Sequence, residues 1–381
     1  MRQLFVGKRL RSHTQMLERT QAASDRSGTL RHDRILVQLE RRVVATLHPQ
    51  SELRYVAVNR ETFMHRLSLT SAVVCILAIA ALPVDSAESD KPYLSVEQLR
   101  AKYADPAGQI AKVGGVEVYY KDEGQGEAIL MVHGSQSTLR TWDKVAPPLA
   151  KRYRVIRFDI PPQGLSGTVT NEAAARMQVT DIAEGLLEQL GVKQVTYVGV
   201  SSGGTLGVFL AAKRPDLVKR LILSNTPAAT VTTDHMKLTP EFEAAQQEAK
   251  EKGFQSQHFW NVFLDYFAGD PRRLDQNIRE QYYDVNRRAP EPHYLQFVAR
   301  VADQEKALDA MSRVTAPTLL IWGGRDALLV PASMHTLAGY LQQAQVSTII
   351  MPDVGHYPPL ETPERFAQLV AAYIEAATPL Q

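Results

Sequence analysis

The chain has 381 residues, of which 44% are hydrophobic and 22% are charged, so it can form one large domain or two modest ones. The formal net charge of +2 gives no indication of nucleic-acid binding. The basic excess is also local, because residues 1–63 hold 12 Lys and Arg against 6 Asp and Glu, whereas residues 88–381 hold 30 against 34.

The sequence predicts a secretory signal that begins at Met64. A short basic stretch is followed by an apolar run over residues 72–82 and by small residues near Ala87. The run is only about half the ~20 residues that span a bilayer, which favours a cleaved signal over the competing interpretation, a membrane anchor. We therefore expect a secreted or periplasmic protein with no stable membrane insertion after cleavage.

The signal lies at residues 64–87 rather than at the first residue. Our hypothesis is that Met64 is the true start and that residues 1–63 are a non-native or disordered extension, with an organelle-targeting extension as the alternative. Cleavage would also remove Cys75, the one cysteine in the chain. The mature chain would then have neither a thiol nucleophile nor a cysteine-based zinc site.

The following residues alternate between strand and helix patterns after an arm, residues 88–112, with one predicted helix. The predicted strands are Gly114–Asp122, Ala128–Val132, Arg154–Ile160, Val195–Val200, Arg220–Ser224, Thr318–Trp322 and Val346–Met351. The predicted helices are Val96–Tyr103, Leu139–Leu149, Ala174–Leu190, Gly203–Lys213, Ala332–Leu341 and Pro363–Ile374. This alternation predicts an α/β fold with a mostly parallel sheet covered on both faces.

The alternation is interrupted over residues 226–314, where helical patterns rich in aromatic residues replace the strands. We interpret this stretch as a helical cap inserted between two parts of one core, residues 113–225 and 315–381. Aromatic side chains in such a cap more often form its own core than contact a substrate.

A candidate nucleophile follows the strand Val195–Val200. The sequence Gly199-Val200-Ser201-Ser202-Gly203 has the form G-x-S-x-G and stands between a strand and a helix, which is the context that this motif requires. The sharp turn exposes the hydroxyl of Ser201, and the helix behind it points N–H groups at the site.

A serine hydroxyl needs a base, and the base needs an orienting carboxylate. His356 follows the last predicted strand and Asp326 follows the strand before it. Taken alone, such an aspartate is usually a helix cap and such a histidine usually lies in a turn. Because Ser201, Asp326 and His356 all come after strands of one parallel sheet, we expect them to meet at its carboxyl edge as a catalytic triad.

The sequence resembles the α/β-hydrolase superfamily over about residues 114–378. The resemblance rests on G-x-S-x-G, on a His-Gly segment starting at His133, on the loop Asp159–Ser166 and on the stretch after His356. It departs from the family at Pro162, where a glycine is usual. The resemblance implies the α/β-hydrolase fold and an oxyanion hole formed by the backbone N–H groups of Ser135 and Ser202.

Serine as nucleophile favours acyl chemistry, since dehalogenases and epoxide hydrolases of this fold use aspartate. The leading hypothesis is a carboxylic-ester or lactone hydrolase acting on a small to medium apolar acyl substrate, with no metal and no organic cofactor. The same triad also serves C–C bond hydrolases, amidases, acyltransferases and cofactor-free peroxidases. A ligand-binding, receptor-like member of the superfamily is the non-enzymatic alternative.

Overall fold

The structure, a computed structural model, describes residues 93–376 except residues 229, 230, 232, 290, 292 and 294–299. The predicted extension over residues 1–63 and the predicted signal peptide, residues 64–87, lie outside the described residues. Within the described part of the chain, no helix combines the length and the apolar character that crossing a membrane requires.

One twisted sheet organises the described residues, and its eight strands run in the order β1-β2-β4-β3-β5-β6-β7-β8. Strands β1 and β2 are antiparallel to their neighbours, and β3 to β8 run parallel to one another. The strands are β1 (Gly108–Val113), β2 (Val116–Glu123), β3 (Ala128–Val132), β4 (Arg154–Phe158), β5 (Val195–Val200), β6 (Val218–Ser224), β7 (Thr318–Gly323) and β8 (Val346–Met351). The predicted α/β fold with a mostly parallel sheet is confirmed.

Helices cover both faces of this sheet and form the cap. They are α1 (Val96–Tyr103), α2 (Ala146–Ala150), α3 (Asn171–Arg176), α4 (Asp181–Gln189), α5 (Ser202–Lys213), α6 (Pro240–Lys252), α7 (Gln257–Phe267), α8 (Gln276–Val285), α9 (Gln304–Arg313), α10 (Pro331–Tyr340), α11 (Pro358–Glu361) and α12 (Pro363–Ala376). Short 3₁₀ turns lie at Leu139–Trp142 and Pro271–Arg273.

The two faces of the sheet bury separate apolar cores. Along β3, Leu130 and Val132 pack into one core, whereas Ile129 and Met131 pack into the other. All five β3 residues are buried, because successive side chains of a strand point to opposite faces and both faces are covered. Packing on both faces therefore supports the sheet and the positions of the residues at its carboxyl edge.

The sheet begins earlier than the sequence indicates. β1 (Gly108–Val113) lies in the stretch that we predicted to be an arm, and it pairs with β2 through a turn at Gly114 and Gly115. Both glycines have positive φ, 57° and 89°, so they form the hairpin turn rather than the first residues of a strand. Only Ala111 and Val113 of β1 are buried, which explains its weak apolar pattern.

The last helix of the predicted cap packs on the core instead. Ala307, Ala310 and Met311 of α9 lie in the same apolar core as the sheet, against helix α5. Helix α9 therefore packs with the core, although it lies within residues 226–314, the stretch interpreted as a cap. The aromatic core of the cap, as far as the structure describes it, lies in α6, α7 and α8, where Phe242, Trp260 and their neighbours are buried together.

Candidate active site

Four neighbouring strands deliver polar side chains to the carboxyl edge of the sheet. Ser201 follows β5 directly, and Asn225 follows β6 directly. Asp326 lies three residues after β7, and His356 lies five residues after β8. Because these strands are parallel neighbours, the four side chains are carried to one end of the sheet.

Ser201 occupies a strained turn between β5 and α5. Its backbone has φ 52° and ψ −127°, a conformation that non-glycine residues rarely adopt. The two motif glycines leave room for the turn, since a Cβ at Gly199 would lie 2.6 Å from the Gly203 carbonyl and one at Gly203 would lie 2.3 Å from the His133 carbonyl. The backbone N–H of Ser201 donates to the Ser224 carbonyl at 3.0 Å and anchors the turn to β6.

His356 and Asp326 form a buried pair. The Nδ1 atom of His356 lies 2.8 Å from Oδ2 of Asp326, and both residues are largely shielded from solvent. The backbone N–H of His356 donates to the carbonyl of Phe267 at 2.8 Å. This arrangement fixes the imidazole and leaves Nε2 as the ring nitrogen that can accept a proton.

The carboxylate of Asp326 accepts hydrogen bonds at both oxygens. Oδ1 accepts from the backbone N–H groups of Leu328 and Leu329 at 2.8 and 2.9 Å. Oδ2 accepts from the Asn225 side chain at 2.6 Å, besides its bond with His356. These hydrogen bonds hold the carboxylate of Asp326 beside the imidazole of His356.

The structure brings Asp326 and His356 into direct contact but does not join Ser201 to them. Among the described residues, the Ser201 hydroxyl makes no hydrogen bond with the His356 ring. Catalytic hydrogen bonds are often long or poorly aligned without substrate and tighten when it binds.

The loop after β3 lies against Ser201. A Cβ at Gly134 would lie 3.0 Å from Cβ of Ser201 and 3.7 Å from its Oγ. The side-chain oxygens of Ser135 and Ser202 are 2.9 Å apart. Within the described part of the chain, neither the Ser135 nor the Ser202 backbone N–H donates to another residue. Two backbone donors therefore remain available beside the hydroxyl of Ser201.

The ring of His133 holds the loop after β3 in place through two hydrogen bonds. Its Nε2 accepts from the backbone N–H of Ile160 at 2.9 Å, so its Nδ1 carries the proton that is donated to the Gly134 carbonyl at 2.7 Å. Complete burial lowers the pKa of His133 to about 4, so the ring is neutral at pH 7.

Asp159 holds the next loop and joins it to the first. Its two carboxylate oxygens accept from the backbone N–H groups of Leu139 and Leu165 at 2.6 and 2.7 Å. Burial raises the pKa of Asp159 to about 6 against the effect of these two donors. Pro162, the departure from the family pattern, is followed by Gln163, whose Oε1 accepts from the Gln136 backbone N–H at 3.0 Å.

Glu361 holds the segment that carries His356 through hydrogen bonds to backbone N–H groups. One carboxylate oxygen accepts from the Gly355 backbone N–H at 2.8 Å, and the other accepts from those of Gly269 and Asp270 at 3.0 and 3.1 Å. Burial raises the pKa of Glu361, and the three N–H donors oppose that shift. The end of cap helix α7 is thereby tied to the residue before His356.

Two aromatic rings lie next to the imidazole of His356. The ring centroid of Phe267 lies 6.2 Å from that of His356, and the centroid of Tyr357 lies 5.5 Å from it. Burial raises the pKa of Tyr357 well above its ordinary value, so this phenol stays neutral. Phe267 and Tyr357 also belong to the aromatic core of the cap, which therefore reaches the site with apolar surface.

Sequence reasoning missed Asn225. A single asparagine after a strand is usually a turn or cap residue, and nothing near it in the sequence marks it. Its place directly after a buried strand of a parallel sheet is the signal that could have found it.

Among residues 93–376 as described, no group of three or more His, Cys, Asp or Glu side chains is arranged to hold a metal ion.

Comparisons with known proteins agree with this architecture. The chain is 27% identical over 277 residues to the 2-hydroxymuconate semialdehyde hydrolase of Pseudomonas sp. (strain CF600), covering 69% of this chain and 92% of that protein. It is 24% identical over 265 residues to the pimeloyl-[acyl-carrier protein] methyl ester esterase of Nitrosospira multiformis, covering 67% of this chain and 97% of that protein.

A solved structure shows the same fold. The meta-cleavage product hydrolase of Pseudomonas fluorescens IP01 superposes with a TM-score of 0.56 at 21% identity, covering 71% of this chain and 99% of that one. Residues 127–363 match the family described as the alpha/beta hydrolase fold, and this match spans more than half of the sequence. The chain is a member of the α/β-hydrolase family.

Proposed function

We propose that this protein is a serine hydrolase that cleaves a carboxylic ester or lactone, with Ser201, His356 and Asp326 as its triad. The observation that supports this most is the strained turn at Ser201, which stands at the same sheet edge as the hydrogen-bonded pair of His356 and Asp326. An alcohol in such a turn is exposed for attack, and the neighbouring imidazole is already oriented by a carboxylate.

The proposed reaction has two stages. His356 Nε2 takes the proton of Ser201 as its Oγ attacks the substrate carbonyl, and it then gives that proton to the leaving alcohol, so that an acyl-enzyme forms. In the second stage His356 Nε2 removes a proton from water, which attacks the acyl carbon. The bond from that carbon to Oγ of Ser201 then breaks, and the proton passes from His356 to Oγ, so that the acid is released and both side chains return to their starting states. Asp326 stays ionised throughout and stabilises the imidazolium.

The negative charge of the tetrahedral intermediate falls on the carbonyl oxygen. The free backbone N–H groups of Ser135 and Ser202 are the proposed donors to it. Preorganised donors of this kind are worth about 3–4 kcal/mol each in comparable sites. The positive end of helix α5, which begins at Ser202, adds to this stabilisation.

The surroundings of His356 favour an apolar substrate. Phe267 and Tyr357 cover the imidazole with aromatic surface that continues into the cap. A small apolar acyl or alcohol group would displace water from this surface when it binds. This is the basis for proposing a small apolar ester rather than a charged substrate.

C–C bond hydrolysis is the second candidate. It is favoured by the likeness to a 2-hydroxymuconate semialdehyde hydrolase, 27% identical over 277 residues. The same triad can serve that reaction. Amide cleavage, acyl transfer, cofactor-free peroxidation and non-enzymatic ligand binding remain further alternatives for this fold, each without a specific observation in its favour.

The first test is covalent labelling with a fluorophosphonate. The wild-type protein is expected to gain one phosphonyl group by intact mass, and Ser201→Ala is expected to gain none. The substitution should also lower kcat by about 10⁴-fold or more, since removing one triad member disables the whole unit. An adduct that persists in Ser201→Ala would refute the assignment of the nucleophile.

The second test separates the candidate reactions. Short-chain esters, lactones, anilides and 2-hydroxymuconate semialdehyde, the compound in the name of the similar hydrolase, are each assayed with the wild type and with Ser201→Ala. Esters or lactones are expected to give the highest kcat/KM. A higher kcat/KM for 2-hydroxymuconate semialdehyde would favour C–C hydrolysis, and labelling without turnover of any class would favour a binding role.

A further inference from the structure

Asn225 is a buried polar residue to which the proposed mechanism assigns no part. It follows β6 directly and is fully buried, and its backbone has a positive φ of 43°. Its Nδ2 donates at 2.6 Å to Oδ2 of Asp326, the oxygen that also bonds His356. We propose that Asn225 is a positioning residue that holds the Asp326 carboxylate in line with His356; this inference rests on the proposed function.

The amide of Asn225 has only one orientation that satisfies its neighbours. Its Oδ1 accepts from the backbone N–H of Gly323 at 3.3 Å and from the hydroxyl of Ser224 at 3.1 Å. A rotated amide would place N–H groups against the Gly323 donor and an oxygen against the carboxylate of Asp326. The donor of Asn225 is therefore directed at Asp326 by the strand ends on either side.

Asn225 donates a side-chain hydrogen bond to the Asp326 carboxylate, in addition to the bonds from the backbone and from His356. Backbone donors from Leu328 and Leu329 hold Oδ1, whereas Oδ2 is held by Asn225 and by the imidazole. Without Asn225, Oδ2 would be restrained only by the ring that it is meant to orient. A hydrogen bond to a charged group is the stronger kind, so its loss has a measurable effect on alignment.

The backbone at Asn225 is consistent with this role. A positive φ is uncommon in residues other than glycine, and asparagine tolerates it better than most. The same Nδ2 also lies 3.5 Å from the Gly355 carbonyl, next to His356. Asn225 thus links the ends of β6 and β7 with the segment that carries the base.

The test uses two substitutions and one control. Asn225→Gly removes the side chain and keeps the positive φ without strain, and Asn225→Leu fills a similar volume without a donor. Thr318→Val is the matched control, because Thr318 is buried at the opposite end of β7 and its hydroxyl donates to the Ala316 carbonyl, away from Asp326 and His356. Each variant is assayed for kcat, KM and pH–rate profile on the best ester, and for its rate of fluorophosphonate labelling.

We expect kcat and the labelling rate of Asn225→Gly to fall about 10- to 100-fold, which is the range for a lost hydrogen bond to a charged group, with little change in KM. The acid limb of the profile should move to higher pH, because Asp326 then shares its charge with the imidazolium alone. Thr318→Val should keep the wild-type rates and profile. Asn225→Leu should follow Asn225→Gly if it folds.

Rates of Asn225→Gly within twofold of the wild type would overturn the inference. So would lower rates with an unmoved acid limb, because a purely structural role lowers stability without changing the proton affinity of the pair. If the wild type forms no Ser201 adduct, the proposed function fails, and the inference is then judged by the NMR titration of the His356 ring. A midpoint that moves in Asn225→Gly but not in Thr318→Val supports it, and an unmoved midpoint overturns it.

Discussion

Ser135 and Ser202 meet through their side-chain oxygens beside the strained Ser201, 2.9 Å apart. If their backbone N–H groups are the oxyanion donors, the hydroxyls matter only for holding the two segments together. We therefore expect Ser135→Ala and Ser202→Ala each to lower kcat/KM by less than about tenfold, since one neutral hydrogen bond is worth about 1 kcal/mol. A loss in either variant close to that of Ser201→Ala would show that a hydroxyl takes part directly.

His133 gives a pH-dependent prediction for stability. Its pKa is about 4 in the folded protein and near 6.5 when unfolded, so the unfolded chain binds more protons between these values. The stability that neutral His133 provides is present above pH 6.5 and is lost as the pH falls towards 4. The stability cost of His133→Asn should therefore shrink by about 1.4 kcal/mol per pH unit across this window.

The measurement is chemical unfolding of the wild type and of His133→Asn at pH 7, 6 and 5. Asp159, whose pKa of about 6 is raised on folding, works in the opposite direction, but it is present in both proteins and cancels in the comparison. His235→Asn is the control, because His235 is exposed and its ring donates to the Ala327 carbonyl at the surface. A cost of His133→Asn that stays constant with pH would show that the buried ring does not titrate in this way.

Single residues differ in how far the sequence could predict them. Ser201 stands in a motif whose two glycines have a local steric cause, so its strained turn could be foreseen. Asp326 and His356 are recognisable only by their order after strands, and their contact depends on loops of three and five residues that the sequence does not shape uniquely. Asn225 has no local signature, because its hydrogen-bond partner Asp326 lies 101 residues further along the chain.

Helix α1 (Val96–Tyr103) connects the core to the cap. Tyr103 and Lys102 both reach Asp284 of α8, at 2.6 and 2.5 Å, and Arg100 donates to the Leu165 carbonyl at 2.8 Å. The carboxylate of Asp284 is nearly buried, whereas the amine of Lys102 is largely exposed. The bond from Tyr103 is therefore less screened by solvent than the one from Lys102.

Substitutions in α1 should reflect this difference. Tyr103→Phe removes one hydrogen bond to a buried carboxylate and should lower the free energy of unfolding by about 1.5–3 kcal/mol. Lys102→Met, the matched control, removes an exposed ion pair and should cost less than about 1 kcal/mol. Equal effects in denaturant titrations would contradict the view that burial of Asp284 decides the strength of this connection.

Four elements have the bounds that the sequence predicts, although their burial patterns differ. β3 and β5 are buried throughout, α1 has a capping serine, Ser95, and β8 is exposed or half-buried over most of its length. The single helix predicted over Ala174–Leu190 is instead two helices, α3 and α4. The backbone is extended at Met177, which ends α3, and α4 begins after its N-cap residue, Thr180. β1 was missed because half of its residues face solvent.

At the scale of the whole molecule, the alternation of strands and helices was enough to predict the fold class. Parallel strands need helical crossovers, and covering both faces of the sheet forces continuous apolar runs that are visible in the sequence. The limit of the cap was harder to predict, because α9 is amphipathic and such a helix can pack equally well on a cap or on a core. Its contacts with α5 decide the matter, and only the folded chain has them.

The central claim is that three distant segments of the chain act as one acyl-transfer site. A crystal structure of the fluorophosphonate-treated protein tests it most directly. The phosphorus should be bonded to Oγ of Ser201, with one phosphonyl oxygen about 2.7–3.1 Å from the backbone nitrogens of Ser135 and Ser202 and with Nε2 of His356 facing Oγ. An adduct on another residue, or a phosphonyl oxygen turned away from both nitrogens, would contradict the account.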